Sequence, residues 1–274
     1  MNATFHAISR EAAVAAEHLA NGATILGKAN YANHAHYEQA FFALSTGIER
    51  STKLIFVIDH ALDNAGTFPT SKHLRAYGHD LRSLLDQADA IAERRGLADD
   101  SRLPRTPIHD SIIRVLTDFA NNVTRYYNFD LISGDPRASQ RNDPTREWFQ
   151  NVVTPVLAAH YDNRARERHR RNAQMVSSLL EDVASVHHFS EDGQPLDTMY
   201  SASLQTGTTE FAKPYVRMYV MQIARFLGRV LSELAYGSYE AKLDTIPHLS
   251  DFFALFYNDD KYFFRRKTWS IYRP

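Results

Sequence analysis

The 274-residue chain has no cysteine, which excludes disulfides, thiol nucleophiles and cysteine-ligated zinc. It has no His-Glu-x-x-His pair, no glycine-rich phosphate loop of the Walker or dinucleotide kind, and no Gly-x-Ser-x-Gly elbow. Readings as an ordinary zinc hydrolase, kinase, dehydrogenase or α/β-type serine hydrolase therefore fall away. No stretch approaches the roughly 18 consecutive apolar residues of a membrane span. The first twenty residues set Arg10, Glu11 and Glu17 among alanines instead of around an apolar signal core, so the expectation is a cytoplasmic protein without membrane contact. A dominant charge is also missing. The formal net charge of -1 gives no global attraction to a polyanion, and any nucleic-acid contact must be local. The pairs His34/His36 with Glu38, and His187/His188, are too loose for a metal site, so neither metal nor cofactor is expected.

What is present is a globular composition, 44% apolar and 23% charged, with apolar residues recurring at helical spacing. The chain reads as all-α. The spacing predicts helices over 9–28 and 36–64, the second with Phe41, Leu44, Ile48, Ile55 and Leu62 on one stripe and Gly66 as its stop. A third runs from Ser71 to near Gly96 with Leu74, Tyr77, Leu81, Leu85 and Ala88 inward. A fourth opens at Thr106-Pro107, a cap followed by proline at the first helical position, and carries Ile112, Leu116, Phe119, Val123 and Tyr126. Residues 128–142 read as a surface loop, Asp143-Pro144 as another helix start, and Pro155 as a kink or stop. A polar helix over 162–187 follows, with Val176, Leu179, Leu180 and Val183 as its buried edge. Residues 190–207 read as a loop, 215–236 as an apolar helix, and 248–257 as a short one. Residues 1–130 form a bundle core and 131–274 a helical extension ending in an aromatic and basic tail.

Ala43, Gly47 and Ser51 make a smooth ridge that lets a neighbouring backbone come close. Glu49 and Lys53 have the favourable i, i+4 order for an ion pair. Arg50 leans toward Leu54 and Val57, so it needs an acceptor, and Asp80 is the candidate. His79 lies nearly opposite the Leu81 stripe, either solvated or part of a site able to move a proton.

The segments Gly47-Ile48-Glu49-Arg50-Ser51-Thr52-Lys53 and Gly78-His79-Asp80-Leu81 resemble those of HEPN-like domains, in which a Gly-x-Glu-Arg-x-x-Lys helix precedes a Gly/Thr-His-Asp-Leu helix. The resemblance covers about residues 35–130. It implies a HEPN-like helical bundle that pairs as a homodimer. Functionally it implies either a non-catalytic module binding a nucleotide, RNA or a partner protein, or a metal-independent endoribonuclease of the toxin or defence type, with a cognate protein partner. In the family's ribonucleases a histidine follows an arginine by four to six residues. Two places fit, Arg164 with His169, as a phosphate holder and a proton carrier, and Arg102 with His109, in the loop before the fourth helix and at its start. With 13 histidines in the chain such spacings also arise by chance, and Ala165 and Leu103 stand where the family has a polar residue.

Arg166 and Arg168, with Arg164, Arg170 and Arg171, form either a phosphate-holding surface around His169 or a solvated basic face. Arg125 and Tyr126 end the fourth helix before a loop bearing Arg137 and Arg141, as a pocket wall for a base and phosphate or as a buried helix end. The tail Lys261–Trp269 interleaves aromatic and basic side chains, as a polyanion patch or a segment docked on the bundle.

Overall fold

The computed structural model describes residues 2–136, 138 and 143–270, and the regular structure of the described residues is almost entirely helical. Helix α1 (Ala3–Leu26) starts earlier than the alanine pattern indicates because Asn2 caps it, its Oδ1 accepting from Phe5 N at 2.8 Å. It lies along α2 (Ala35–Asp63) at close range. A Cβ on Gly47 would stand 2.9 Å from the backbone nitrogen and side chain of Leu19, and one on Gly22 would stand 2.6 Å from Leu44 Cγ. The small-residue ridge of α2 thus serves the close approach that its spacing announces.

The third helix is two. Gly78, at φ +70°, breaks it into α3 (Ser71–Ala76) and α4 (Leu81–Arg94), because a left-handed residue cannot continue a right-handed helix. Asp80 restarts the chain as an N-cap, accepting from Ser83 N at 2.7 Å. Helix α5 (Pro107–Ala120) begins on Thr106 and Pro107 as the residues require. It stops at Asn122, φ +60°, short of the expected end, so Val123 and Tyr126 are exposed instead of lining the stripe. Part of the expected surface loop is helical, as α6 (Tyr127–Ile132).

Asp143 caps α7 (Pro144–Trp148), and the chain continues through one wide π turn (Phe149–Val153) into α8 (Thr154–His160). Pro155 does not end this run. The π turn relieves the carbonyl that the proline ring would otherwise meet one turn back.

Helix α9 (Asn163–Leu180) is shorter than expected and buries a different edge. Ala165 and Ala173 are buried, with half-buried His169 between them, while Leu179 and Val183 are 70% and 77% exposed. Small side chains win this edge because α9 packs chiefly on α10 (Met199–Glu240), across Gly207, where a Cβ would stand 3.1 Å from His169 Cγ.

Residues 190–207 are not a loop throughout. Thr198 and Ser201 form a capping box that starts α10 at Met199, nine positions into the polar stretch. The helix runs 42 residues through Pro214, roughly 60 Å at 1.5 Å per residue. Before it, β1 (His188–Phe189) and β2 (Pro195–Leu196) pair antiparallel around Gly193, φ +80°. Their turn inserts Glu191, 3% exposed, between α2 and α10. Its carboxyl group accepts from Tyr37 Oη and Thr209 Oγ1 at 3.2 Å each and from Gln205 Nε2 at 2.5 Å, so a buried polar group is met by three neutral donors.

Helices α11 (Ser250–Phe253) and α12 (Asp260–Arg265) close the described chain. Phe263 and Trp269 are buried, and Trp269 N–H donates to Thr24 Oγ1 at 2.8 Å. One apolar core runs from Ile8 in α1 through α2, α4, α5 and α10 to Trp269.

Candidate functional site

On α2, Glu49 accepts from Lys53 Nζ at 2.8 Å and from His79 Nδ1 at 2.9 Å. Burial alone would raise the Glu49 carboxyl, but the hydrogen bonds from Lys53 and His79 outweigh it and hold the group below the usual range. The His79 side chain is 71% exposed, so a carboxylate orients one ring nitrogen while the other faces water. That arrangement can pass a proton. Arg50 does not pair with Asp80. It turns to α1 and makes a two-pronged contact with Glu11 at 2.8 and 2.9 Å, because one residue's rotation from Glu49 carries it off the α4 side. Asp80 is spent on its own helix and on Asn121 Nδ2 at 3.3 Å.

Arg125 lies over the rings of Phe42 and Phe119, 5.0 and 5.3 Å from their centroids, and donates to Asn122 Oδ1 at 3.0 Å. It lines a pocket of about 330 Å³ with Tyr127, Asn128, His34, Glu38 and Asp143. Tyr126, 52% exposed, stands beside it. Glu38 and Asp143 give this pocket mixed charge. Arg137 and Arg141 lie outside the described residues.

Helix α9 separates the residues that the sequence grouped. His169 Nδ1 is hydrogen-bonded to Tyr161 Oη at 2.8 Å, and burial, then the charge of Arg168, push its imidazole below the ordinary histidine range. Arg164 is exposed and lies roughly 140° around the helix from it, so the two share no cleft. Arg166 folds over Tyr161 and donates to its carbonyl at 3.0 Å, and Arg170 pairs with Glu167 at 3.2 Å. Arg164, Arg168 and Arg171 are exposed and have no carboxylate partner among the described residues. At roughly 100° per residue they fall within one narrow stripe.

The contrast with the bundle arginines is sharp. Arg82 pairs with Asp110, Arg94 and Arg95 with Asp59 and Asp63, Arg102 with Asp89, and Arg105 with Asp86. These five guanidinium groups are neutralised by the fold, whereas Arg164, Arg168 and Arg171, like Arg10 and Arg75, have no carboxylate partner among the described residues.

A group that joins His109 on α5 and His160 on α8 to aromatic side chains of α10 escaped the sequence reading, which named His109 only beside Arg102. His109, 2% exposed, contacts Thr106 Oγ1 at 2.7 Å and Gln222 Oε1 at 2.8 Å and packs edge-on to Tyr219. Tyr219 Oη reaches His160 Nε2 at 3.1 Å, and His160 stacks on Tyr215 at 4.1 Å. Burial lowers the pKa of both histidines. Arg102 and His109 do line one pocket of about 340 Å³ with Arg225 and Gln222, but His109 is committed on both ring nitrogens. The only available signal was the four-residue recurrence of Phe211, Tyr215 and Tyr219 on one face of α10. In the tail, Phe263 and Trp269 are core residues, while Lys261, Arg265 and Arg266 line a shallow surface.

Among the described residues no helix is long and apolar enough to cross a membrane, and no three metal-ligating side chains come together. No family model, curated protein or solved structure matches the chain. The geometry defines an all-α helical bundle with one laterally exposed basic helix.

Proposed function

We propose that the chain is a HEPN-like, non-catalytic helical module, cytoplasmic, that holds RNA along α9. The observation that carries this reading is the stripe of Arg164, Arg168 and Arg171, three guanidinium groups left without carboxylate partners on a helix whose inner edge alone is packed. A single-stranded backbone presents phosphates that such groups neutralise, releasing counterions. His169 acts as a packing residue in this account, since its Nδ1 is engaged by Tyr161. Fluorescence anisotropy of a labelled single-stranded RNA tests it. Replacing the three arginines with glutamine abolishes most of the binding, whereas replacing ion-paired Arg94 and Arg105 leaves it unchanged. Equal losses in the two variants refute the assignment.

The endoribonuclease reading is favoured by one observation, the exposed His79 ring backed by Glu49 at 2.9 Å. Cleavage of a mixed RNA pool in EDTA decides between them. Cutting by the wild type that disappears in His79→Ala assigns catalysis to His79, and intact RNA at high protein concentration leaves the binding role.

A further inference from the structure

The pocket that Arg125 lines lies where the start of α2, the connection from α5 to α6 and the start of α7 meet. Helix α2 begins there with no side-chain cap from His34, and the N–H of Ala35, its first residue, has no acceptor among the described residues. The positive end of a 29-residue helix therefore lies in the pocket wall with the Arg125 side chain. Two carboxylates stand across from this charge. Glu38, in the first turn of α2, is exposed and has neither an ion pair nor a hydrogen bond among the described residues. Asp143 spends Oδ1 on capping α7, and its Oδ2 has no partner among them.

Thr124 completes the wall. It is 6% exposed, and its Oγ1 is buried without a hydrogen-bond partner among the described residues. A buried hydroxyl left unbonded destabilises the empty protein, so it calls for a partner that the chain itself does not supply.

We infer that this pocket binds a free basic α-amino acid, with the carboxylate at Ala35 N–H and Arg125, the α-ammonium at Glu38 and the side-chain cation at Asp143. The wall carries one cation and two anions, and such a ligand carries two cations and one anion, so each charge is met by its opposite. Simpler ligands leave charges opposed. A phosphate or nucleotide meets Glu38 and Asp143 as like charges, and a polyamine meets Arg125 and the end of α2 in the same way. Thr124 Oγ1 donates to the ligand carboxylate and so loses its isolation. The volume, about 330 Å³, is at the lower end for small-molecule sites and suits one amino acid instead of a peptide. Among the described residues none from α9 lines the pocket, so the inference stands apart from RNA binding.

Isothermal titration of the full chain with L-lysine and L-arginine tests it. Saturable one-to-one binding is expected. Cadaverine, which lacks the carboxylate, and norleucine, which lacks the side-chain ammonium, each bind about tenfold more weakly or less. Glu38→Gln changes an exposed side chain, so it leaves the melting temperature unchanged and weakens lysine about tenfold. Thr124→Val melts no lower than the wild type, because it removes an unbonded hydroxyl, and yet it binds lysine more weakly. No binding of lysine or arginine at millimolar concentration, equal binding of lysine and cadaverine, binding of AMP or inorganic phosphate in lysine's place, or full affinity in Glu38→Gln overturns the proposal.

Discussion

The same substitution, glycine to alanine inside a helix, is expected to have opposite effects at Gly47 and Gly237. In both places alanine gains about 0.8–1.0 kcal/mol of helix propensity, because glycine loses more backbone freedom on folding. At Gly237 the new methyl meets nothing closer than Leu62 Cδ1 at 3.9 Å, so this gain stands nearly whole. At Gly47 the methyl would stand 2.9 Å from Leu19 N as well as from two of its side-chain carbons. A side chain can rotate away, but the backbone nitrogen moves only if α1 moves. Overpacking costs about 1–3 kcal/mol, and a clash with backbone belongs above the bottom of that range, at about 1.5–3 kcal/mol, so Gly47→Ala is net destabilising by roughly 0.5–2 kcal/mol. The melting temperature should fall by roughly 1–8 °C, at 2–4 °C per kcal/mol for a domain of this size, while Gly237→Ala raises it by a few degrees. Urea unfolding followed by helical circular dichroism reads both changes. A stabilised Gly47→Ala would mean that α1 and α2 do not approach as closely as described, and the packing argument fails.

Glu191→Ala leaves the buried donors of Tyr37, Gln205 and Thr209 without an acceptor, at about 1–3 kcal/mol each before relaxation. A net loss of about 3–5 kcal/mol is expected, with Glu191→Gln losing less than half as much. Chemical denaturation of the two variants checks this, and indistinguishable losses contradict it. Burial depresses His18, His109, His160 and His169 below 6.5 in the folded chain. The unfolded chain therefore takes up protons first, and stability falls as pH drops below 6.5 until the folded-state pKa values are passed. His109→Gln should flatten that slope, and a pH series of unfolding free energies that is unchanged by the substitution counts against a neutral buried imidazole. Trp269→Ala removes a fully buried indole from the docked tail and should cost about 3–5 kcal/mol; a variant that melts with the wild type would place the tail off the bundle.

The starts of α5 and α7 were legible because Thr106-Pro107 and Asp143-Pro144 act locally: a side chain caps, and a proline fits where no donor is needed. The end of α2 was legible for the same reason, since Gly66 at φ +86° is a local stop. The buried edge of α9 was not. Hydrophobicity pointed to Leu179 and Val183, but a helix packed chiefly on one neighbour over a glycine is selected for closeness, and alanines supply it. Nor was the start of α10 legible, because its first turns are rich in serine and threonine whose side chains bond back to their own helix, as Thr206 Oγ1 and Thr208 Oγ1 do. The site divides likewise. Glu49 with Lys53 followed from spacing on one helix, whereas Arg50 with Glu11 and His79 with Glu49 depend on how separate helices are rotated. No single-helix pattern contains that information.

The central claim is that the α9 arginines, Arg164 and Arg168 among them, contact phosphates, and the salt dependence of RNA binding tests it most directly. Anisotropy titrations with a single-stranded RNA across a range of salt give a line of log K against log salt concentration, whose slope counts neutralised phosphates at about 0.7 each. The account predicts that replacing both arginines with glutamine makes the slope shallower by about 1.4. Binding by the wild type that does not weaken with salt, or an unchanged slope in the double variant, would contradict it.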